Sequence, residues 1–308
     1  MKIAVTGATG FIGAAVAQAA EARGWEVVRF ARRTGDGLSY WDLDGLAPAR
    51  LPDVDAVVHA GAFVADWGDA GQFHRTNVLG TRAVAEAFAG TRLVHISSSS
   101  VYPWWEPCRN RREEEPATRH LNAYGRSKAL ADIEARKHGN ALVLRPHGVY
   151  GPGDRTLLPR LVGNIRGGQL LSVGHPAVRH QLTHISNLTG AALAACTSGL
   201  RGAVNVADAE PVELGDVLRQ VLDVTGHGDV RIRCIPFAGA MVMARVSETA
   251  ALATNRPPRL TRYAVSQLGR ERTYCLDRLR DGLGVEPIST SLSDAGKWLE
   301  HGARSAPV

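Results

Sequence analysis

The sequence predicts an α/β protein, a doubly wound parallel sheet with a smaller, mostly C-terminal lobe. Three observations carry that expectation. The glycine-spaced stretch "VTGATGFIG", Val5 to Gly13, separates a short apolar run from an alanine-rich helical pattern. Strand-like and helix-like segments then alternate as far as "ALVLRP", which calls for right-handed crossovers and helices on both faces of a parallel sheet. After Gly151 the rhythm becomes irregular. The 308 residues, 44% of them hydrophobic, are enough for a full core with an appendage.

Each element follows from its own residues. Lys2 to Val5 is short, apolar and β-branched, as a buried parallel strand requires. From Phe11 to Arg23 apolar residues recur at helical spacing among alanines, and "RG" at Arg23 and Gly24 supplies the stop. Glu26 to Phe30 reads as the second strand, "LSYWDL" as the end of a third, "DVDAVVHAGA" as the fourth, "RLVHISSSS" as the fifth and "ALVLRP" as the sixth. Beyond them "TLLPRLVGNIRGGQLLSVG" reads as helix then extended chain, and "GAVNVADAEPVELGDVLRQVLDVTG" as strand, turn and helix. The expected division is 1–152 for the core and 153–308 mainly for the lobe, with segments around 180–225 returning to the core.

Composition removes several function classes. The formal charge of +6 is scattered, and the densest basic run, "CRNRREEEP", is cancelled by Glu113 to Glu115, so no nucleic-acid face is expected. The four cysteines, Cys108, Cys196, Cys234 and Cys275, form neither a CxxC pair nor a cluster with histidines, so neither a metal site nor a disulfide framework is expected. The apolar stretch "IPFAGAMVMA" falls well short of the roughly 20 residues of a membrane helix. The first strand begins almost at the initiator Met, which leaves no room for a secretory leader. A soluble, cytoplasmic protein with no membrane partner is the expectation.

Glycines between strand and helix let a phosphate group come close to the backbone at a helix N-terminus. Gly7, Gly10 and Gly13 have that setting, and the absence of a following Gly-Lys-Ser or Gly-Lys-Thr turns the reading from a triphosphate to a dinucleotide. Tyr124 and Lys128, four apart in "LNAYGRSKALADIEARK", share one helix face. An ammonium there favours the phenolate and lets the tyrosine act as acid or base at a carbonyl or carbinol oxygen. The serines Ser97 to Ser100 close the fifth strand at the ligand-binding edge of such a sheet; they cap the next turn or bind the substrate oxygen.

Taken together, TGxxGxxG, the serine at the end of the fifth strand, YxxxK and "RPHGVYGPG" resemble the extended short-chain dehydrogenase/reductase superfamily, the NAD-dependent epimerase/dehydratase group. The resemblance spans nearly the whole chain and implies a Rossmann core with a substrate lobe. It also implies site residues. Gly7, Gly10, Phe11, Ile12 and Gly13 match the pyrophosphate turn, and Asp42 and Leu43 the pair beside the adenine. Ala60 and Ala62 match the stretch passing the cofactor, and Pro146 and Val149 the wall near the nicotinamide. Ser98, Tyr124 and Lys128 match the catalytic set, Lys128 also holding the nicotinamide ribose. Asn77 matches a supporting Asn, or simply fixes the helix. Ser99 and Ser100 stand where sugar-nucleotide dehydratases carry an Asp-Glu pair. His147 replaces a small residue and, with Ser99, either touches substrate or fills space.

The stretch "HAGAFVADWGDAGQFHRTNVLGT" and the tail "RPPRLTRYAVSQLGRERTYCLDRLRDGLGVEP" are similar to the 3β-hydroxysteroid dehydrogenase and 2-alkyl-3-oxoalkanoate reductase branch, which implies an apolar ketone or secondary alcohol as substrate. An NAD-preferring fold carries an acid after the second strand. Here that position is Ala31, followed by Arg32 and Arg33, which suits a 2′-phosphate. NADP(H) is therefore expected over NAD(H). The alternatives are a nucleotide-sugar epimerase with bound NAD and a non-catalytic dinucleotide sensor. A homodimer is left open.

Overall fold

The computed structural model describes residues 1–304. Seven strands form the large sheet: β1 (Lys2–Thr6), β2 (Glu26–Ala31), β3 (Leu38–Tyr40), β4 (Ala56–His59), β5 (Arg92–Ile96), β6 (Ala141–Pro146) and β7 (Gly202–Val206). Their order is β7-β6-β5-β4-β1-β2-β3, and every neighbouring pair is parallel. The direction of winding reverses between β1 and β4, which opens a crevice at the carboxyl ends of those strands.

Alternation along each strand sorts the side chains into two layers. Ile3, Val5, Val58, Val94, Ile96, Leu142 and Leu144 share one core with α1 (Phe11–Ala22) and, later in the chain, the helix Ile185–Thr197. Ala4, Val57, Leu93 and Val143 share the other with α2 (Gly80–Ala87) and α3 (Ala123–Lys137). α2 runs on from Ala70–Phe73 through a wider π turn, His74–Leu79. α1 stops at Arg23, with Gly24 at φ +77°.

After β6 the chain leaves the large sheet. Val149–Tyr150 pairs with Thr183–His184, and Gln169–Val173 with Arg231–Ile235. A four-stranded sheet runs Val212–Glu213, Arg179–His180, Arg272–Tyr274, Cys108–Arg111. The helix Ile185–Thr197, α4, packs on α1, and β7 then joins the sheet beside β6. The next helix, α5 (Leu214–Val224), instead packs with Leu170 and Val230. The long helix α6 (Phe237–Thr254) and the short α7 (Arg262–Leu268) build a further cluster around Val173, Ala240, Ala244 and Val265.

One buried ion pair fastens these parts. Arg145 on β6 and Asp132 on α3 meet at 2.6 Å, with side-chain exposures of 1% and 2%. The Arg145 guanidinium also donates to the Tyr102 hydroxyl and to the Glu113 carbonyl, at 3.1 and 2.7 Å. Tyr102 in turn donates to Asn205 on β7, whose N–H donates to the Glu113 carboxylate. Removing one partner of such a pair strands a buried charge, at a cost of about 3–5 kcal/mol. Asp132→Ala is expected to lose that much stability in urea unfolding, and a loss below about 1 kcal/mol would show that Arg145 finds water instead.

Candidate active site

At the end of β1, Gly7 turns the chain with φ +67°. A Cβ there would lie 2.6 Å from the Cα of Gly61, so the turn and the chain leaving β4 touch backbone to backbone. A Cβ on Gly13 would fall 2.2 Å from the Gly7 carbonyl oxygen, because the first turn of α1 presses on the loop. Gly10 is exposed, and its N–H donates to Gly7 O at 2.9 Å. α1 begins with no side-chain cap and no acidic residue in its first turn. The N–H groups of Phe11, Ile12 and Gly13 therefore have no intrahelical acceptor and sit at the positive end of the helix. This cradle fits a pyrophosphate. Phe11 also lies against Gly153, beyond the end of Val149–Tyr150.

The sequence-predicted neighbours of the crevice gather around the same edge. Ala60 N donates to Thr6 O at 3.2 Å, and Ala60 and Ala62 are half-buried. Leu43 is buried and covers Gly61 so closely that a Cβ on that glycine would meet its Cδ1 at 2.5 Å. Asp42 caps its own turn by accepting from Asp44 N at 3.2 Å. Arg32 and Arg33, just past β2, are exposed. Among the described residues neither has an ion pair or hydrogen bond, so both guanidiniums are available to an anion.

Tyr124 and Lys128 lie on α3, which Asn122 caps by accepting from Gly125 N at 3.0 Å. Both are buried, at 8% and 3% exposure. Burial raises the Tyr124 pKa, against the lowering expected from Lys128, and the Ser98 hydroxyl beside it works against that rise. Lys128 Nζ donates to Ile96 O at 2.8 Å, at the end of β5. Burial pulls its pKa down to about 8, opposed by Asp132 one turn away. Ser98 opens the short turn Ser99–Val101 and accepts from Ser100 N. Asn77 bridges α3 to the loop after β4: its side chain bonds both backbone groups of Phe63 and donates to Ser127 Oγ.

Rings close over Tyr124. Phe73 lies 6.2 Å from it, Phe63 4.7 Å from Phe73, and Tyr263 of α7 meets Tyr124 edge-on at 5.9 Å. Pro146 is buried where β6 ends, and Val149 is half-buried. Ser99 and His147 are each other's partners at 2.8 Å, and the His147 ring stacks on His180 at 5.8 Å.

Two residues that the sequence reading passed over lie beneath this site. His59 and His95 occupy the same register on β4 and β5 and stack at 5.2 Å. Thr81 donates to Asn77 O, so it accepts from His59 Nε2–H, which leaves Nδ1 to accept from Thr6. His59 is thus neutral, its pKa lowered to about 3 by burial and by Lys128. Burial, Lys128 and His59 also hold His95 well below the ordinary histidine value, and neither of its ring nitrogens has a partner. The matching "VVHA" and "LVHI" strands were the available signal. Among the described residues no cluster of three or more His, Cys, Asp or Glu could hold a metal.

A base that is neutral when folded and protonated when unfolded favours unfolding as pH falls below the unfolded value of about 6.5. Each such histidine steepens the loss by about 1.4 kcal/mol per pH unit in the window between its two pKa values. His95→Phe is expected to keep or raise stability at pH 7 and to flatten the decline below pH 6.5 by about that slope. An unchanged slope would mean that His95 is protonated in the fold.

Residues 3–207 match the model of the NAD dependent epimerase/dehydratase family. The 2-alkyl-3-oxoalkanoate reductase of Stenotrophomonas maltophilia (strain K279a) is 31% identical, the alignment covering 93% of this chain and 95% of that protein. A 4-hydroxy-2-methyl-3-oxo-4-farnesyl-3,4-dihydroquinoline-1-oxide ketoreductase of Stigmatella aurantiaca is 30% identical, covering 92% and 91%. Among solved structures, gox2253 aligns with a TM-score of 0.76 at 24% identity over 99% of both chains. MoeE5 in complex with UDP-glucose and NAD aligns at 0.73 and 24%, over 98% of this chain and 100% of that one. The seven-stranded parallel sheet and the matched segment together make this chain a member of the NAD dependent epimerase/dehydratase family, an NAD(P)-dependent enzyme of the extended short-chain dehydrogenase/reductase type.

Proposed function

We propose that the protein is an NADP(H)-dependent ketoreductase acting on a largely apolar ketone or its secondary alcohol. The observation that carries this reading is Tyr124, a buried phenol with a raised pKa, Ser98 at its hydroxyl and Lys128 one turn further along α3. A phenol so held is protonated at neutral pH, which suits an acid that delivers its proton to a ketone oxygen. Ser98 positions that oxygen, and the Lys128 ammonium stabilises the phenolate left behind. A bound nicotinamide supplies the hydride. The rings of Phe63, Phe73 and Tyr263 give the site an apolar wall and exclude water. Two relatives whose names specify a reductase of 2-alkyl-3-oxoalkanoates and a ketoreductase support the same substrate class.

Tyr124→Phe is expected to bind NADPH normally and to reduce 2-alkyl-3-oxoalkanoates, keto-steroids or aromatic ketones about 100- to 10,000-fold more slowly. Wild-type reduction is expected to decline as pH rises past about 8, where Lys128 loses its proton. NADPH absorbance follows both. Near-normal turnover by the variant removes Tyr124 from the chemistry, and tightly held NAD with turnover of UDP-sugars replaces the reductase with an epimerase.

The cofactor preference rests on Arg32 and Arg33, unpaired and exposed where an acid would repel a 2′-phosphate. Arg32→Ala/Arg33→Ala is expected to weaken NADPH binding about tenfold to a hundredfold and to leave NADH binding almost untouched. Added salt is expected to weaken NADPH binding more than NADH binding in the parent. Equal weakening of both cofactors, measured by fluorescence titration, would show that the arginines do not read the phosphate.

A further inference from the structure

α6 has 18 residues, and its exposed side is mostly apolar, broken by Arg245 and Thr249. Ala240, Ala244, Glu248 and Ala251 are buried against the lobe. On the opposite side Val242, Met243 and Val246 are 64%, 50% and 64% exposed, with Ala250 exposed beside them and Leu252 on the flank at 75%. A solvated helix face ordinarily carries charge. The one acid on this helix, Glu248, is turned inward, where it accepts from the Arg262 backbone and guanidinium at 2.7 and 2.6 Å. Between Val230 and Leu260 the exposed charges are Arg231, Arg233, Arg245, Arg256 and Arg259, and no acid is exposed among them.

From this pairing of a mostly apolar face with Arg245 on the helix and Arg256 and Arg259 just beyond its end we infer that α6 docks the protein on an anionic lipid bilayer surface. An interfacial helix needs an apolar face to sink between headgroups and cations to meet anionic lipid, and both are present here. At 1.5 Å per residue the helix is roughly 27 Å long and lies along the surface; no described helix is long and apolar enough to cross a membrane. The inward side of α6 packs on α7, which sets Tyr263 against Tyr124. The docked face therefore adjoins the lobe segment that covers the candidate site. The inference does not depend on which ketone, if any, is reduced there.

The test is flotation of the full chain with phosphatidylglycerol/phosphatidylcholine vesicles and with pure phosphatidylcholine ones. The protein is expected to float with the anionic vesicles, less so in high salt, and weakly with the neutral ones. Arg245→Ala, Arg256→Ala and Arg259→Ala are each expected to lower partition about fivefold. Val242→Glu/Val246→Glu is expected to lower it by on the order of tenfold or more. Both valines face solvent, so NADPH binding by the variant is expected to be unchanged, and Met243→Ser/Val246→Ser repeats the test with a milder change. Absence of flotation overturns the proposal, as does flotation indifferent to these substitutions. So does sedimentation showing that the parent is a dimer that the valine substitutions split, since the face would then be covered by a second copy.

Discussion

A single guanidinium, that of Arg145, is the point through which α3, the last strands of the large sheet and the lobe are joined. Its charge is almost wholly removed from water, so its hydrogens need oxygens within the protein. Asp132, Tyr102 and the Glu113 carbonyl supply them, one from α3, one from the turn after β5 and one from the chain that precedes α3. The cost of desolvating the pair is offset only when that geometry is kept. Its effect is positional. Asp132 follows Lys128 by one turn, so the fixed carboxylate sets both the height of α3 against the sheet and the field at the buried ammonium.

The field around Lys128 is the more informative because its neighbours are uncharged. Two stacked imidazoles lie close to it, and burial together with the lysine itself keeps both neutral. The phenol of Tyr124 on the same helix is shifted by burial, upward, with the Ser98 hydroxyl opposing the rise. Two hydrogen bonds, their direction set by Thr81 donating to Asn77 O, lock His59 into one tautomer, whereas His95 is held by packing alone. The glycine contacts act in the same spirit: backbone meets backbone at Gly7, Gly13 and Gly61, and no side chain can intrude where a phosphate would approach.

Much of this was legible in the residues. Short β-branched strands, the glycine turn and the tyrosine-lysine pair are local patterns, and the structure sets them at one edge of one sheet. What could not be read is what depends on distant parts of the chain meeting. Gly61 looked like an ordinary member of "HAGA" until Gly7 and Leu43 were laid against it. Asp132 and Arg145 carry no motif, since a buried ion pair is written in two unrelated segments. Tyr263 reaches Tyr124 only because α7 returns over the crevice after a long excursion through the lobe. The bond between Ser99 Oγ and His147 Nδ1 likewise joins two distant segments.

The last strand of the large sheet arrives late. β7 pairs with β6 along its whole length, yet the two are separated in the chain by four short strands, a helix of the lobe and α4. All six residues of β6 are buried in the intact molecule. Loss of β7 would bare an edge ready to pair with another polypeptide. The lobe is consequently drawn from two stretches of chain, one between β6 and β7 and a longer one after β7 that holds α5, α6 and α7. Gln169–Val173 of the first pairs with Arg231–Ile235 of the second, so neither stretch can be exchanged without refitting the other.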